Sequence, residues 1–190
     1  MGRDRSAGGL RGALGAVCAL LTAVPASAEP RPSAPVAEIP HTQPPASEAE
    51  RLLVAHNLER TRIGLPPLAW SAGLARDAGD YAKVLLARAQ LEHSQAKDRQ
   101  GQGENLWMGT AGAWDSKAMV EMFLDERRYF RPATFPYVSL TGNWSDVGHY
   151  TQIVWRDTRE VGCAIDTAKG LDVLVCRYHP AGNVMGKNPF

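Results

Sequence analysis

The sequence predicts an α+β fold in which helices come first and strands close the chain. Residues 48–62, 72–91 and 116–130 repeat apolar side chains every three or four positions, which is typical of amphipathic helices. Residues 150–178 instead carry short runs of β-favouring residues. Because the two element types are segregated along the chain, a doubly wound α/β fold is disfavoured.

Capping residues set the expected limits of the first two helices. Ser47 and Glu50 form a capping box, so helix one is expected over about 48–62, and Gly64 with the prolines that follow ends it. Ser71 is the expected N-cap of helix two. The polar, glycine-containing residues 94–103 are predicted to be a loop.

Three strands are predicted near the end of the chain, at about residues 150–156, 161–166 and 171–178. The first of them follows His149, in a run where β-favouring residues alternate, and is expected to be buried. The other two flank the turn at residues 169–170, which suits an antiparallel hairpin.

The N-terminal residues have the pattern of an export signal. A basic start is followed by the apolar residues 13–24 and an A-x-A sequence, so residues 1–28 are predicted to be a cleaved signal peptide. The proline-rich residues 29–47 are expected to be a disordered linker. The folded domain is expected at 48–190. The apolar run is shorter than the roughly 20 residues that span a bilayer, so no membrane span is expected.

The cysteines agree with export. Cys18 lies in the signal, whereas Cys163 and Cys176 lie on the two arms of the predicted hairpin. A disulfide between them is the expected outcome in an oxidising compartment, and two thiol metal ligands are the alternative. The predicted location is extracellular, or periplasmic if the source is a Gram-negative bacterium.

Charge and motifs exclude several function classes. The full chain carries a formal charge of +1, and loss of three Arg and one Asp with residues 1–28 leaves about −1, so nucleic acid is not an expected partner. No G-x-S-x-G elbow, Walker loop or dinucleotide fingerprint is present.

Glu126 is singled out by its position in the third helical segment. At 100° per residue it falls in the centre of the stripe formed by Met119, Met122, Phe123 and Phe130, while the other charges face away. A carboxylate on an apolar face is costly unless it is paired, hydrogen-bonded or bound to a metal. The alternative is a side chain that tilts into solvent near the helix end or pairs with a buried arginine.

Three further residues are candidates for a site with Glu126. Glu104 lies among glycines in GQGENLW, His93 follows helix two, and His149 precedes the first predicted strand. Two histidines and two acids suit divalent-metal or acid–base chemistry, although their spacing matches no short metal motif. His56 and His179 are assigned structural roles.

Several blocks, in order, resemble the CAP superfamily of cysteine-rich secretory, antigen 5 and plant pathogenesis-related group 1 proteins. GHYTQIVW and CRYHPAGNVMG resemble its two signatures, and the plant group is the nearest by the ending of the chain. The matching blocks are residues 56–70, 91–94, 103–107, 122–130, 148–155 and 176–186.

The resemblance implies an α-β-α sandwich with a central antiparallel sheet between helical layers. It also implies a cleft formed by His93, Glu104, Glu126 and His149, in which the histidines hold zinc or another divalent metal weakly. Plant members usually have six cysteines, whereas the mature part of this chain has two, and Val147 stands where the family often has a cysteine.

Family members bind sterols, fatty acids or partner proteins, and a few have been proposed as proteases. The expected function is therefore that of a binding module for a lipid, sterol or cell-envelope ligand. A binding function is favoured over an enzymatic one. The alternative is a zinc-assisted hydrolase with Glu126 or Glu104 as the general base. A third hypothesis is a polar network with a structural role only.

Overall fold

The computed structural model of the protein describes residues 47–190 and places a four-stranded sheet between two helical layers. The predicted signal peptide and nearly all of the linker lie outside the described residues. No helix within 47–190 has both the length and the apolar character needed to cross a membrane. The elements are α1 (Glu48–Arg62), β1 (Ala69–Trp70), α2 (Ala72–Arg88), β2 (Gly103–Thr110), α3 (Ser116–Leu124), α4 (Gly148–Ile153), β3 (Glu160–Ala168) and β4 (Leu171–His179), with short 3-10 helices at Ala96–Asp98, Asp125–Tyr129 and Trp144–Val147.

The strand order is β1-β3-β4-β2. Strands β2, β3 and β4 pair in antiparallel fashion, as expected, and the two-residue β1 adds a parallel edge beside β3. The sheet is therefore mixed, with an antiparallel centre.

The two faces of β4 fill two separate cores. Val173 and Val175 pack with the buried residues of α2. The alternate residues Leu174, Cys176 and Tyr178 pack with α1, α3 and α4 on the opposite face. This alternation, which follows from the two-residue period of a strand, produces the α-β-α sandwich that the family resemblance implies and confirms the α+β fold class.

The terminal hairpin has the expected turn and cross-link. Lys169 and Gly170 both have positive φ, 54° and 74°, as a tight two-residue hairpin turn requires. Cys163 and Cys176 lie directly opposite each other, 4.1 Å apart between Cα atoms, and form a disulfide. The disulfide prediction is confirmed.

The strand predicted at residues 150–156 is wrong. This segment forms the helix α4, and residues 154–155 leave it without joining the sheet. Tyr150, Thr151, Gln152 and Ile153 are all at most 2% exposed, and only the first two residues of the helix are partly exposed. Four successive buried residues show no apolar stripe of helical period in the sequence, and their β-favouring types then suggest a strand.

Two further elements differ from prediction. Strand β2 was not predicted, because its polar first residues resemble the loop before it and its pairing with β4 is not visible in sequence. Helix α3 ends at Leu124, and the rest of the predicted helix winds more tightly as the 3-10 helix Asp125–Tyr129.

His56 holds α1 against the sheet. Its ring is fully buried, its Nδ1 lies 2.7 Å from the carbonyl oxygen of Leu52, and its Nε2 lies 2.8 Å from the hydroxyl of Tyr178. Asn105 donates to the same hydroxyl at 3.1 Å. A neutral imidazole satisfies both contacts, which supports a structural role for His56. His179, by contrast, is exposed.

We predict that acid destabilises the fold through His56. Burial lowers the pKa of His56 from 6.5 to about 4, so between these pH values the unfolded chain binds a proton that the folded chain excludes. Stability should fall by roughly 3 kcal/mol as pH drops through this window. Urea denaturation at a series of pH values measures this loss.

His56→Gln should flatten the stability profile between pH 6.5 and 5, where carboxylates contribute little. His179→Gln, at an exposed position, is the matched control and should keep the wild-type slope. An unchanged slope in His56→Gln would contradict the assignment.

Candidate functional site

A cleft of about 540 Å³ lies where the start of α4, the start of β2 and the C-terminal loop meet. Three of the four predicted site residues line this cleft, namely His93, Glu104 and His149. Glu126, the fourth, lies behind His149 and contacts it directly. The remaining wall includes Arg99, Gln102, Phe135, Trp144, Gln152 and Met185.

Glu104 holds His93 from the sheet side. Its side chain is fully buried, and Oε1 accepts a hydrogen bond from His93 Nδ1 at 2.7 Å. The backbone N–H of Ser94 donates to Oε1 at 3.0 Å, and the Ser94 hydroxyl donates to Oε2 at 2.8 Å. Arg177, opposite Glu104 in the β2–β4 ladder, forms a salt bridge with Oε2 at 2.9 Å.

These contacts keep Glu104 ionised. Burial alone raises the pKa of a carboxyl, but hydrogen bonds from His93 and Ser94 and the charge of Arg177 outweigh it, so the pKa of Glu104 lies below its ordinary value. A buried carboxylate with this many donors has the role of an anchor for the residues around it.

Glu126 holds His149 from the other side of the cleft. Its Oε1 accepts from His149 Nδ1 at 2.5 Å, and its Oε2 accepts from the backbone N–H groups of His149 and Tyr150 at 2.9 and 3.0 Å. The same carboxylate therefore orients the imidazole and caps the first turn of α4. The ring of His149 also stacks on Phe123, with centroids 4.8 Å apart.

Arg60 binds the opposite end of α4. It is fully buried, and its guanidinium donates to the backbone carbonyls of Ile153, Trp155 and Thr158 at 2.9, 2.9 and 3.3 Å. Burial lowers the pKa of Arg60 to about 10, so it remains charged at neutral pH. Its positive charge suits the carbonyl end of a helix.

The C-terminal loop braces α4 along its length. Gln152 accepts from the N–H of Gly182 at 2.9 Å, and Asn183 both donates to the carbonyl of Gly148 and accepts from the hydroxyl of Thr151. This is the local role of the residues in the second signature block.

The two histidines share one arrangement. In each, Nδ1 is hydrogen-bonded to a carboxylate, and within the described residues no hydrogen bond involves Nε2 of either ring. A proton on Nδ1 leaves Nε2 as a lone-pair donor. Carboxylates placed behind histidines in this way commonly orient metal ligands and raise their basicity.

The described part of the chain does not bring three metal-binding side chains together at this cleft. Within residues 47–190, the one group of three or more metal-binding side chains in mutual reach is His56, Cys163 and Cys176, and both sulfurs there belong to the disulfide. An ion in the cleft would therefore rely on His93 and His149, with other positions open.

Sequence reasoning missed several residues that build the site. Arg177 and Ser94 satisfy Glu104, and Arg60 fixes α4, yet none was assigned to the cleft. The pairing of Arg177 with Glu104 requires the register of β2 against β4, which was not predicted. The sequence could have indicated the burial of Arg60, since this residue lies on the buried stripe of α1.

We predict that Glu126→Gln destabilises the protein by about 1–2 kcal/mol, because a neutral amide is a weaker acceptor for the N–H groups at the start of α4. Asp125→Asn, at the exposed neighbouring position, should be neutral. Thermal and urea unfolding of both variants measure the difference. Equal stabilities would show that Glu126 does not support α4.

The sequence is similar to one protein family and to several known proteins. The family described as "Cysteine-rich secretory protein family" (CAP) matches residues 53–178. Pathogenesis-related protein 1B of Nicotiana tabacum is 36% identical over 154 residues, covering 80% of this chain and 86% of the relative. Secreted protein RBT4 of Candida albicans is 35% identical, covering 74% of this chain but 37% of that protein.

Solved structures share the fold. The crystal structure of NaASP2 with Zn2+ superposes with a TM-score of 0.66 at 26% identity, covering 76% of this chain and 86% of that one. The structure of BmVAL-1 superposes with a TM-score of 0.64 at 20% identity, covering 80% and 86%.

The family match spans most of the described residues and includes the first signature block at 148–155, whereas the second block, at 176–186, begins where the match ends. The tobacco relative adds similarity along most of its own length. The chain therefore belongs to the CAP family of cysteine-rich secretory proteins.

Proposed function

We propose that this protein is a secreted binding module whose cleft takes a lipid, sterol or other cell-envelope ligand and weakly holds a divalent metal. The observation that carries the proposal is the pair of histidines on one cleft, each anchored through Nδ1 by a carboxylate. The family name and the name of the Candida relative support an extracellular location.

The donor set fits zinc better than a hard cation. His93 and His149 would supply the nitrogen ligands that zinc accepts, and bound zinc would act as a Lewis acid toward a ligand oxygen. Zinc in the NaASP2 crystal structure supports the choice of metal. With two protein ligands in place of the usual three or four, binding should be weak.

The cleft walls suit an amphipathic ligand. Phe135, Trp144 and Met185 contribute apolar surface, and the histidines with Arg99 contribute polar groups. A volume of about 540 Å³ lies within the range of small-molecule sites. A lipid or sterol with a polar head matches this division.

The hydrolase hypothesis has less support. A general base needs a carboxylate that is free to take a proton from water. Both oxygens of Glu104 and both oxygens of Glu126 already accept hydrogen bonds from the protein. These contacts favour an orienting role for the two acids and hence a binding function.

We predict zinc binding that depends on both histidines. Calorimetric titration with zinc should show at least tenfold weaker binding in His93→Ala and His149→Ala. Glu126→Gln should weaken binding by 10- to 100-fold, as losses of outer-shell carboxylates typically do. Asp125→Asn is the matched control. Equal binding by wild type and the histidine variants would disprove a metal site in the cleft.

We also predict capture of ergosterol or palmitate through the apolar wall. Trp144→Ala should reduce capture, because Trp144 lines the cleft beside Phe135. Trp114→Ala is a matched control, since both tryptophans are 41% exposed and Trp114 lies outside the cleft. Absence of capture by wild type, measured with radiolabelled ligand, would remove this ligand class.

A further inference from the structure

The polar atoms that the cleft leaves free indicate the head group of its ligand. The amide side chains on the cleft wall are largely engaged by the protein, namely those of Asn105, Gln152 and Asn183. Within the described residues, no hydrogen bond involves Nε2 of His93, Nε2 of His149 or Nη2 of Arg99. A ligand in the cleft therefore meets two imidazole nitrogens and the edge of a guanidinium.

Arg99 can be reached from the cleft. Its side chain is 21% exposed and forms part of the cleft wall. Its Nη1 lies 3.4 Å from Oε1 of Glu104, the oxygen that accepts from His93 Nδ1 at 2.7 Å. Because the guanidinium and the imidazole meet at one oxygen, Arg99 lies beside His93. Its Nη2 is left to contact a ligand that approaches this histidine.

Glu104 does not neutralise Arg99 alone. Its other oxygen, Oε2, forms a salt bridge with Arg177 at 2.9 Å, which is shorter than the 3.4 Å contact with Arg99. Two guanidiniums thus share one carboxylate. Within residues 47–190, no carboxylate other than that of Glu104 lines the cleft. The charge of Arg99 is therefore available to an anion on the cleft side.

A bound metal would add to this positive charge. The site contains two carboxylates, those of Glu104 and Glu126, and the two guanidiniums that contact Glu104 match them in number. The imidazoles must be neutral to bind a metal. A divalent ion on both histidines would therefore leave an excess of positive charge. An anionic ligand would neutralise this excess and occupy one of the open coordination positions.

We propose that the ligand of the cleft is an acidic lipid, whose carboxylate or phosphate contacts both the metal on the histidines and Nη2 of Arg99. A guanidinium forms strong, charge-assisted hydrogen bonds with either anion. The apolar chain would lie along Trp144 and Met185 on the same wall. This inference rests on the proposed function and narrows its ligand class, because a neutral sterol or alcohol gains nothing from Arg99.

Calorimetry on the purified protein can compare octanoate, octyl phosphate and 1-octanol, which share one apolar tail, with enough zinc to saturate the histidines. At least one of the two acids should bind about tenfold more tightly than 1-octanol, as hydrogen bonds to charged groups imply. Removal of zinc with EDTA should largely abolish this preference. Acetate and inorganic phosphate test for a free anion, and binding as tight as that of the octyl compounds would overturn a lipid ligand.

Arg99→Gln should weaken binding of the acid probes about tenfold and leave the affinities for zinc and 1-octanol unchanged. Arg88→Gln, at an exposed position outside the cleft, is the matched control. Zinc binding without a preference for the acids, or a preference that survives in Arg99→Gln, would overturn the head-group assignment and leave the metal site standing. Absence of zinc binding by the wild type would overturn both.

Discussion

The cleft depends on a six-residue helix that cannot be stable alone. Two charged side chains from other elements hold its ends, Glu126 at the N–H end and Arg60 at the carbonyl end. Each charge has the sign that favours its end of the helix dipole. Since His149 lies in the first turn of α4, the position of the imidazole is set by the same contacts that allow the helix to form.

A polar path through the core joins this helix to the sheet. Asn105 on β2 donates both to the carbonyl of His149 and to the hydroxyl of Tyr178, which in turn contacts His56 on α1. Every member is buried or partly buried, so the loss of one partner would leave another unsatisfied. The structural network and the candidate metal site are thus parts of one arrangement. The hypothesis of a purely structural polar network describes its buried part, formed by His56, Asn105 and Tyr178.

Much of the fold could be predicted because local signals were strong. The Ser47 capping box and the Lys169–Gly170 turn are both formed as expected, and Glu126 stood out on its apolar stripe. Helix α4 could not be predicted, since its conformation is imposed by Glu126 and Arg60, which are distant in sequence. Likewise, the pairing of Glu104 with Arg177 follows from the register of β2 against β4. No local pattern in the sequence indicates that register.

The contacts of Glu104 have a thermodynamic consequence. Its buried carboxylate accepts from His93 and Ser94 and pairs with Arg177 on β4, so the imidazole of the cleft and the pairing of β2 with β4 share one anchor. An ion bound to His93 would therefore stabilise this part of the sheet, and by linkage an intact sheet would favour the ion to the same extent.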